Sequence, residues 1–324
     1  VIADAFLKGI GDFDIEKAYE AMKISATRDH FGLDAYRRYG FIPAGSEGES
    51  VSKTLEYAYD DWCIAQVARK LGYEQDYAEY IQRAQSYRNI YDPGTGFMRA
   101  RVNGGFYEPF DPSEVNFNYT EANSWQYSFY VPQDIEGLIE LMGGQKRFIR
   151  KLDELFDASS ELTGRGQADI TGMIGQYAHG NEPSHHMAYL YSYAGAPWKA
   201  QEITRRIMDE LYTGGPAGLC GNEDCGQMSA WYVLSALGFY PVTPGSDIYV
   251  IGTPLFEVAT IDVARDRRFT VRAENVSEDN IYIRSAELNG EPYRKSYIRH
   301  GDILSGGELV FEMGPRPNKR WGVG

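Results

Sequence analysis

The sequence is poor in cysteine, in histidine and in basic charge, and each shortage removes a class of function. Three cysteines among 324 residues, Cys63, Cys220 and Cys225, cannot build a disulfide framework. Five histidines, none in an HExxH arrangement, leave no zinc-hydrolase signature. Lysine and arginine total 32 against 46 aspartates and glutamates, a net charge of -14. Such a surface repels phosphate backbones and argues against nucleic acid as a partner. No apolar run reaches the ~18 residues that would cross a membrane. The first residues show no basic, apolar and cleavage-site succession of a signal peptide. They already read as helix (VIADAFLKGI), so the sequence is expected to be part of a longer chain. Aromatic residues, by contrast, are plentiful: 25 Tyr and 5 Trp within a 14% aromatic share. Flat apolar faces with polar edges suit the binding of sugar rings, and a neutral ligand or a cation suits the acidic balance.

The texture of the chain changes once. Up to about residue 240, apolar positions recur at helical spacing. Helices are expected over residues 1–10, 15–26, 50–72, 74–91, 122–142, 145–156, 185–194, 198–211 and 227–237, with Ser50 or Ser52 capping the third. A long aromatic, Gly- and Pro-rich segment precedes residue 122, and ordered loops of that length are usually functional. Beyond residue 241 the pattern becomes short alternating runs separated by turn signals such as NG and SGG. That predicts five to seven strands. The expected fold class is therefore mainly α, a helical toroid over residues 1–240 followed by a small all-β module over residues 241–324.

Four stretches carry candidate chemistry. In LCGNEDCGQMSAW (residues 219–231), a zinc knuckle lacks the two further ligands that two thiols require. A Cys220–Cys225 disulfide and an active-site rim both remain open. In the rim reading, Gly221 and Gly226 permit a tight turn that presents Asn222, Glu223 and Asp224 at the start of a helix. There, backbone N–H groups favour an ionised acid suited to activating water, though Asp224 could equally be a plain N-cap. In NYTEANSWQY (residues 118–127), Glu121 lies among Tyr119, Trp125 and Tyr127. Desolvation there would keep its carboxyl protonated, as a general acid requires. In HGNEPSHHMAYLY (residues 179–191), the adjacent His185 and His186 would diverge by ~100° on a helix and cannot share one metal. Asn181 and Glu182 are oxygen donors, the kind a hard cation such as calcium prefers. In EYAYDDW (residues 56–62), Asp60 and Asp61 beside Trp62 could hydrogen-bond sugar hydroxyls.

Together these stretches, with GFIPAGSEGESVSKTLEYAYDDW, SFYVPQD, DIYVIGTPLF and GPRPNKRWG, resemble glycoside hydrolase family 92, the calcium-dependent, inverting exo-α-mannosidases. The resemblance implies that residues 1–240 are the later part of an (α/α)6 toroid, incomplete without the N-terminal β-sandwich and first helices expected upstream. It implies Glu121 as general acid and Asp224 as general base. An inverting pair would stand ~6.5–9.5 Å apart to admit a water. Asn222 stands where the family often has Asp, which removes a second carboxylate beside the base. Asp60, Asp61, Trp125, Asn181, Asn222 and Gln227 are expected at the sugar, and Glu182 at calcium. The ion would bridge adjacent hydroxyls of a terminal mannose and favour a distorted ring. Mannose-containing glycans are the implied partners, and a secreted or periplasmic location in bacteria is implied too. The alternatives are a non-catalytic carbohydrate-binding piece and the family's mannosyl-phosphodiester branch. A phosphorylase would need a basic phosphate site, and a lyase a Tyr, His or Arg pair, neither of which these stretches provide.

Overall fold

A computed structural model describes residues 1–323 and divides the chain into two compact units. The first comprises residues 1–144, 154–178 and 244–246, and the second comprises residues 145–153, 179–243 and 247–324.

The first unit is helical, with two-residue strand pairs in its loops. Its helices are α1 (Ile2–Leu7), α2 (Ile15–Thr27), α3 (Leu33–Tyr39), α4 (Ser50–Leu71), α5 (Glu74–Arg83), α6 (Ser124–Tyr127) and α7 (Ile135–Leu141). α4 is its axis. Val51, Leu55, Ala58, Ile64, Ala65, Val67 and Ala68 are all buried along it. Full burial of a Val, Leu or Ile side chain contributes roughly 1.5–3 kcal/mol. Packing on several sides, rather than one amphipathic stripe, therefore holds this helix. α1, α2 and α5 cover one side of it, closing a core of Ala3, Tyr19, Ile64, Val67 and Tyr80. Between α5 and α6 run β1 (Tyr91–Asp92), β2 (Phe97–Met98), β3 (Arg101–Val102), β4 (Gly105–Phe106) and β5 (Glu114–Val115). β5 pairs in parallel with β6 (Thr163–Gly164). Gly164 is required there: its φ is +82°, and a Cβ would lie 2.4 Å from the Val115 carbonyl oxygen. β7 (Met173–Ile174) and β8 (Tyr177–Ala178) form the last pair of this unit.

The second unit holds α9 (Leu190–Tyr193), α10 (Pro197–Leu211) and α11 (Gln227–Leu237), after which the chain turns to strands. Helix α8 (Gln145–Asp157) has its first nine residues in this unit and its last four in the first. β9 (Phe239–Tyr240) pairs with β10 (Ile248–Ile251), which pairs with β15 (Tyr297–Arg299). The main sheet has the order β11 (Val258–Ala264), β12 (Arg267–Glu274), β16 (Gly307–Gly314), β13 (Tyr282–Leu288), β14 (Glu291–Pro292). All its pairings are antiparallel except β12–β16. A short helix, α12 (His300–Ser305), lies in the connection before the last strand, and Phe269, Val271, Ile283, Ile298, Leu309, Phe311 and Trp321 fill the core. Among the described residues beyond 241 there are thus seven strands, β10 to β16, at the upper end of the expected range.

Three expected helices are broken, each for a local reason. The segment 122–142 becomes α6 and α7, because Pro132 cannot donate into a helix and Asp134 restarts one by accepting from the Gly137 N–H. The segment 74–91 ends as α5 at Arg83 and continues as a 3-10 turn over Ser86–Ile90. There, Tyr87 is drawn to Asp134 and Asn89 to the Gly40 carbonyl. The segment 185–194 begins as a turn, passes through a 3-10 turn over Met187–Tyr189 and is α-helical only over Leu190–Tyr193. The N-cap of α4 is Glu49, at φ +58° and without a side-chain cap bond, rather than Ser50 or Ser52.

Candidate active site

In the first unit, the segment bearing Glu121 is laid along the start of α4. The Glu49 and Val51 N–H groups donate to the Phe117 and Asn118 carbonyls, at 2.6 and 3.0 Å. The Thr120 N–H donates to Ser52 Oγ at 2.8 Å, and the Tyr127 hydroxyl donates to Glu56 Oε1 at 2.8 Å. On the far side, Asn123 caps α6 in a reciprocal capping box with Gln126 and donates to Gln176 Oε1 at 2.8 Å. Held from both sides, Glu121 adopts φ +48° and is half-buried. Positive φ in a residue other than glycine, asparagine or aspartate is uncommon and persists where neighbours over-determine it. Trp125 on α6 is half-buried and meets Phe97 edge to face, with ring centroids 4.6 Å apart.

The two acids of α4 part company. Asp61 is 1% exposed, and both its oxygens are engaged: Arg83 approaches at 2.8 and 3.0 Å and the Tyr36 hydroxyl donates at 2.9 Å. Burial pushes its carboxyl up to about 7 against the pull of Arg83 and Tyr36. Asp60 reaches solvent and makes no hydrogen bond or ion pair among the described residues; the surrounding protein raises its carboxyl as well. Both line a cavity of about 560 Å³, together with His30, Phe31 and Tyr57. That volume suits a small ligand. A recess of about 780 Å³ between α2 and the start of α5 holds none of the motif residues.

In the second unit, two motifs are tied together. Asn181, nearly buried, precedes a 3-10 turn over Glu182–Ser184 with Pro183 near its start, and Glu182 is exposed. His185 donates from Nε2 to the His179 carbonyl at 2.9 Å, and its Nδ1 accepts from Gln227 Nε2 at 3.1 Å. Gln227 is the first residue of α11 and also reaches the Tyr240 hydroxyl at 3.2 Å. The Trp231 indole N–H donates to the His185 carbonyl at 2.9 Å, and His179 Nε2 lies 2.7 Å from the Tyr212 hydroxyl. Burial holds His185 down to about 4 and drives His179 well below the usual histidine range, so both rings are neutral structural pins near pH 7.

Next to this framework stands the turn 220–226. Its residues Asp224, Cys225 and Gly226 lie at φ +51°, +56° and +94°. Gly226 is the N-cap of α11, and the carboxylate that serves the helix start belongs to Glu223, which accepts from the Ser229 N–H at 3.1 Å and from its hydroxyl at 2.8 Å. Asp224 is therefore no N-cap. Its side chain is exposed and makes no hydrogen bond or ion pair among the described residues. Asn222 is exposed beside it. The three cysteines are all free, so no Cys220–Cys225 disulfide closes the turn.

The sequence profile of the glycosyl hydrolase family 92 catalytic domain matches residues 1–315. The chain belongs to glycoside hydrolase family 92. Among solved family 92 structures, an α-mannosidase of Bacteroides thetaiotaomicron in complex with mannoimidazole is 45% identical with a TM-score of 0.94, covering 100% of this chain and 44% of that one. An inverting mannosidase from the same organism is 41% identical with a TM-score of 0.90, covering 99% and 46%. A curated relative, an uncharacterized secreted glycosidase of Arthroderma benhamiae, is 31% identical over 368 aligned residues, covering 100% of this chain and 45% of that protein. The chain thus spans less than half the length of these family 92 relatives.

Residues not put forward as site residues matter to this site, one of them, Ser52, outside the four motifs. Ser52 and Glu56, four apart on one face of α4, hold the Glu121 segment, and the buried His179, His185 and Trp231 hold the start of α11. Ser52 and Glu56 stand i, i+4 on α4, but with Lys53, Thr54, Asp60 and Asp61 close by on the same helix that spacing did not single them out. The second group lay within two of the motifs, where the oxygen donors Asn181 and Glu182 and the acids of the 220–226 turn, instead of the buried rings, carried the expected chemistry.

Proposed function

We propose that the protein removes terminal α-linked mannose from glycans by inverting hydrolysis, with Glu121 as general acid and Asp224 as general base. The observation that carries this reading is the state of Asp224. It is a carboxylate held at positive φ, exposed and unengaged, while its neighbour Glu223 does the structural work of the turn. A base that activates water needs an open carboxylate, and strain retained without a structural return marks a functional position. In the same reading, Glu121 gives its proton to the departing glycosidic oxygen as Asp224 takes one from the attacking water. Asp60, the unengaged acid of α4, hydrogen-bonds the sugar together with Trp125, Asn181, Asn222 and Gln227, while Asp61 acts from behind, anchored on Arg83. The helices are read as part of an (α/α)6 toroid preceded by a β-sandwich, and the protein as secreted or periplasmic.

Calcium is the cofactor this reading implies, with Glu182 and the Asn181 amide as contacts. Calcium takes ~6–8 oxygen ligands. Among the described residues, no three or more His, Cys, Asp or Glu side chains gather to hold a metal. Asn181 and Glu182 fit a part of such a shell and no more. Bound there, the ion would polarise sugar hydroxyls.

The test is to incubate the complete protein with the α-1,2, α-1,3, α-1,4 and α-1,6 mannobioses and follow the released mannose by NMR. The expected first product is β-mannose. Initial α-mannose would contradict inversion. Release from mannosyl phosphodiesters alone would move the protein to that branch of the family, and sugar binding without release would leave it a carbohydrate-binding protein.

A further inference from the structure

We propose that Phe117 and Arg165 form the subsite for the leaving part of the glycan, a platform for a neutral, hydroxyl-bearing sugar ring next to the general acid. The proposal rests on the mannosidase reading above, because it takes Glu121 as the group that protonates the leaving oxygen. Phe117 is 73% exposed, the most exposed aromatic residue among those described. A single exposed ring is ordinary on a protein surface. This one is not on a loose loop. Its carbonyl accepts from the Glu49 N–H, the carbonyl of the next residue accepts from Val51, and Thr120 is fastened to Ser52.

Arg165 comes from the other side. It follows β6, whose parallel pairing with β5 is continued by the Arg165 N–H donating to the Val115 carbonyl at 3.0 Å. Its guanidinium lies 4.6 Å from the centroid of the Phe117 ring. In a chain with 46 acidic residues, this guanidinium makes no ion pair and no side-chain hydrogen bond among the described residues, and its Nε is shut off from water without a partner. The result is an apolar ring face beside a fork of unspent N–H donors. A pyranose offers the complement: a C–H face to lie on an aromatic ring and hydroxyl oxygens to accept from a guanidinium.

The location follows from the chemistry of acid catalysis. A general acid must reach the bridging oxygen, so the departing sugar lies beside it. Phe117 precedes Glu121 by four residues on the same anchored segment, a span of at most ~14 Å. That keeps the ring within an oligosaccharide's length of the acid. Stacking and donor contacts at this place would act on the leaving sugar and not on the terminal mannose.

The experiment compares two substrates in the complete protein: the mannobiose it hydrolyses fastest, and α-mannosyl fluoride, whose leaving group has no ring. In Phe117→Ala and Arg165→Ala, the ratio of kcat/KM for mannobiose to that for the fluoride is expected to fall about tenfold, the scale of an aromatic or cation–π contact. Phe117→Tyr is expected to restore the ratio. A ratio within twofold of the original in both alanine variants would overturn the subsite and leave the mannosidase reading standing, provided Glu121→Gln still suppresses mannobiose hydrolysis. An equal fall on both substrates would also overturn it, by showing that Phe117 supports the acid's segment instead of the leaving sugar. If the unaltered protein hydrolyses neither substrate, the mannosidase reading fails and the subsite fails with it.

Discussion

Glu121 and Asp224 both hold a left-handed backbone conformation; in Glu121 it costs roughly 1–3 kcal/mol, while aspartate tolerates it more readily. Neither gains a helix cap from it. At Asp224 the cap goes to Gly226 and the capping carboxylate is Glu223, so of the two adjacent exposed carboxylates Asp224 is the one left unengaged. This division of labour was only half legible in the sequence. The glycines at 221 and 226 announced a turn before a helix, but three consecutive carboxylate or amide residues gave no means of telling the capping side chain from the open one. The two acids are expected to respond differently to neutralisation. Glu121→Gln removes the proton donor, so its loss should scale with leaving-group basicity: an aryl mannoside, whose phenolate departs unaided, should keep far more of its rate than a mannobiose. Asp224→Asn removes the activation of water that every substrate needs, so both substrates should fall together by about 10²–10⁴-fold. Equal losses on both substrates in Glu121→Gln, with unchanged melting, would exclude Glu121 as the acid.

At the scale of elements, α4 does more than its own sequence suggests. Its length and its C-terminal Gly72 were plain from the sequence, and Gly72 is indeed the C-cap, at φ +83°. Its role as the bed for a segment some seventy residues away was not plain, because hydrogen bonds to backbone groups leave no mark in the partner's side chains. Ser52 is the clearest case. It reads as a candidate cap, yet it is fully buried and accepts from the N–H of Thr120, immediately before Glu121. α6 starts at Ser124, capped by Asn123, two residues after the expected start at residue 122, and its brevity, which Pro132 and the restart at Asp134 impose, was not foreseeable. Ser52→Ala should cost about 1 kcal/mol of stability by leaving the half-buried Thr120 N–H without its partner. It should also lower kcat for mannobiose several-fold with little change in KM, because the acid's backbone is no longer pinned. Ser52→Thr keeps the hydroxyl and should recover most of the kcat. A KM effect alone would show that Ser52 serves substrate binding and not the placing of Glu121.

For the molecule as a whole, the change from helices to strands was legible because two periodicities meet at residues 239–241, where α11 gives way to β9 through Gly238. The division into compact units was not, since residues 145–153 and 244–246 each fold with the unit other than their sequence neighbours. Glu121 belongs to the first unit and Asp224, Asn181 and Glu182 to the second. An ion held by the second unit would act on stability as well as on turnover. In the complete protein, exhaustive chelation is expected to abolish mannose release and calcium to restore it. Magnesium should not restore it, since that smaller ion demands a rigid octahedron and gives up its waters reluctantly. Binding to the folded state alone should also raise the melting temperature progressively with calcium concentration, by mass action equivalent to about 2.7 kcal/mol at a hundredfold excess over Kd. Glu182→Ala should move both the activity midpoint and the melting midpoint to higher calcium, the carboxylate being a charged ligand, while Glu223→Ala should move neither. Full activity after chelation, or a calcium response untouched by Glu182→Ala, would remove Glu182 from the metal.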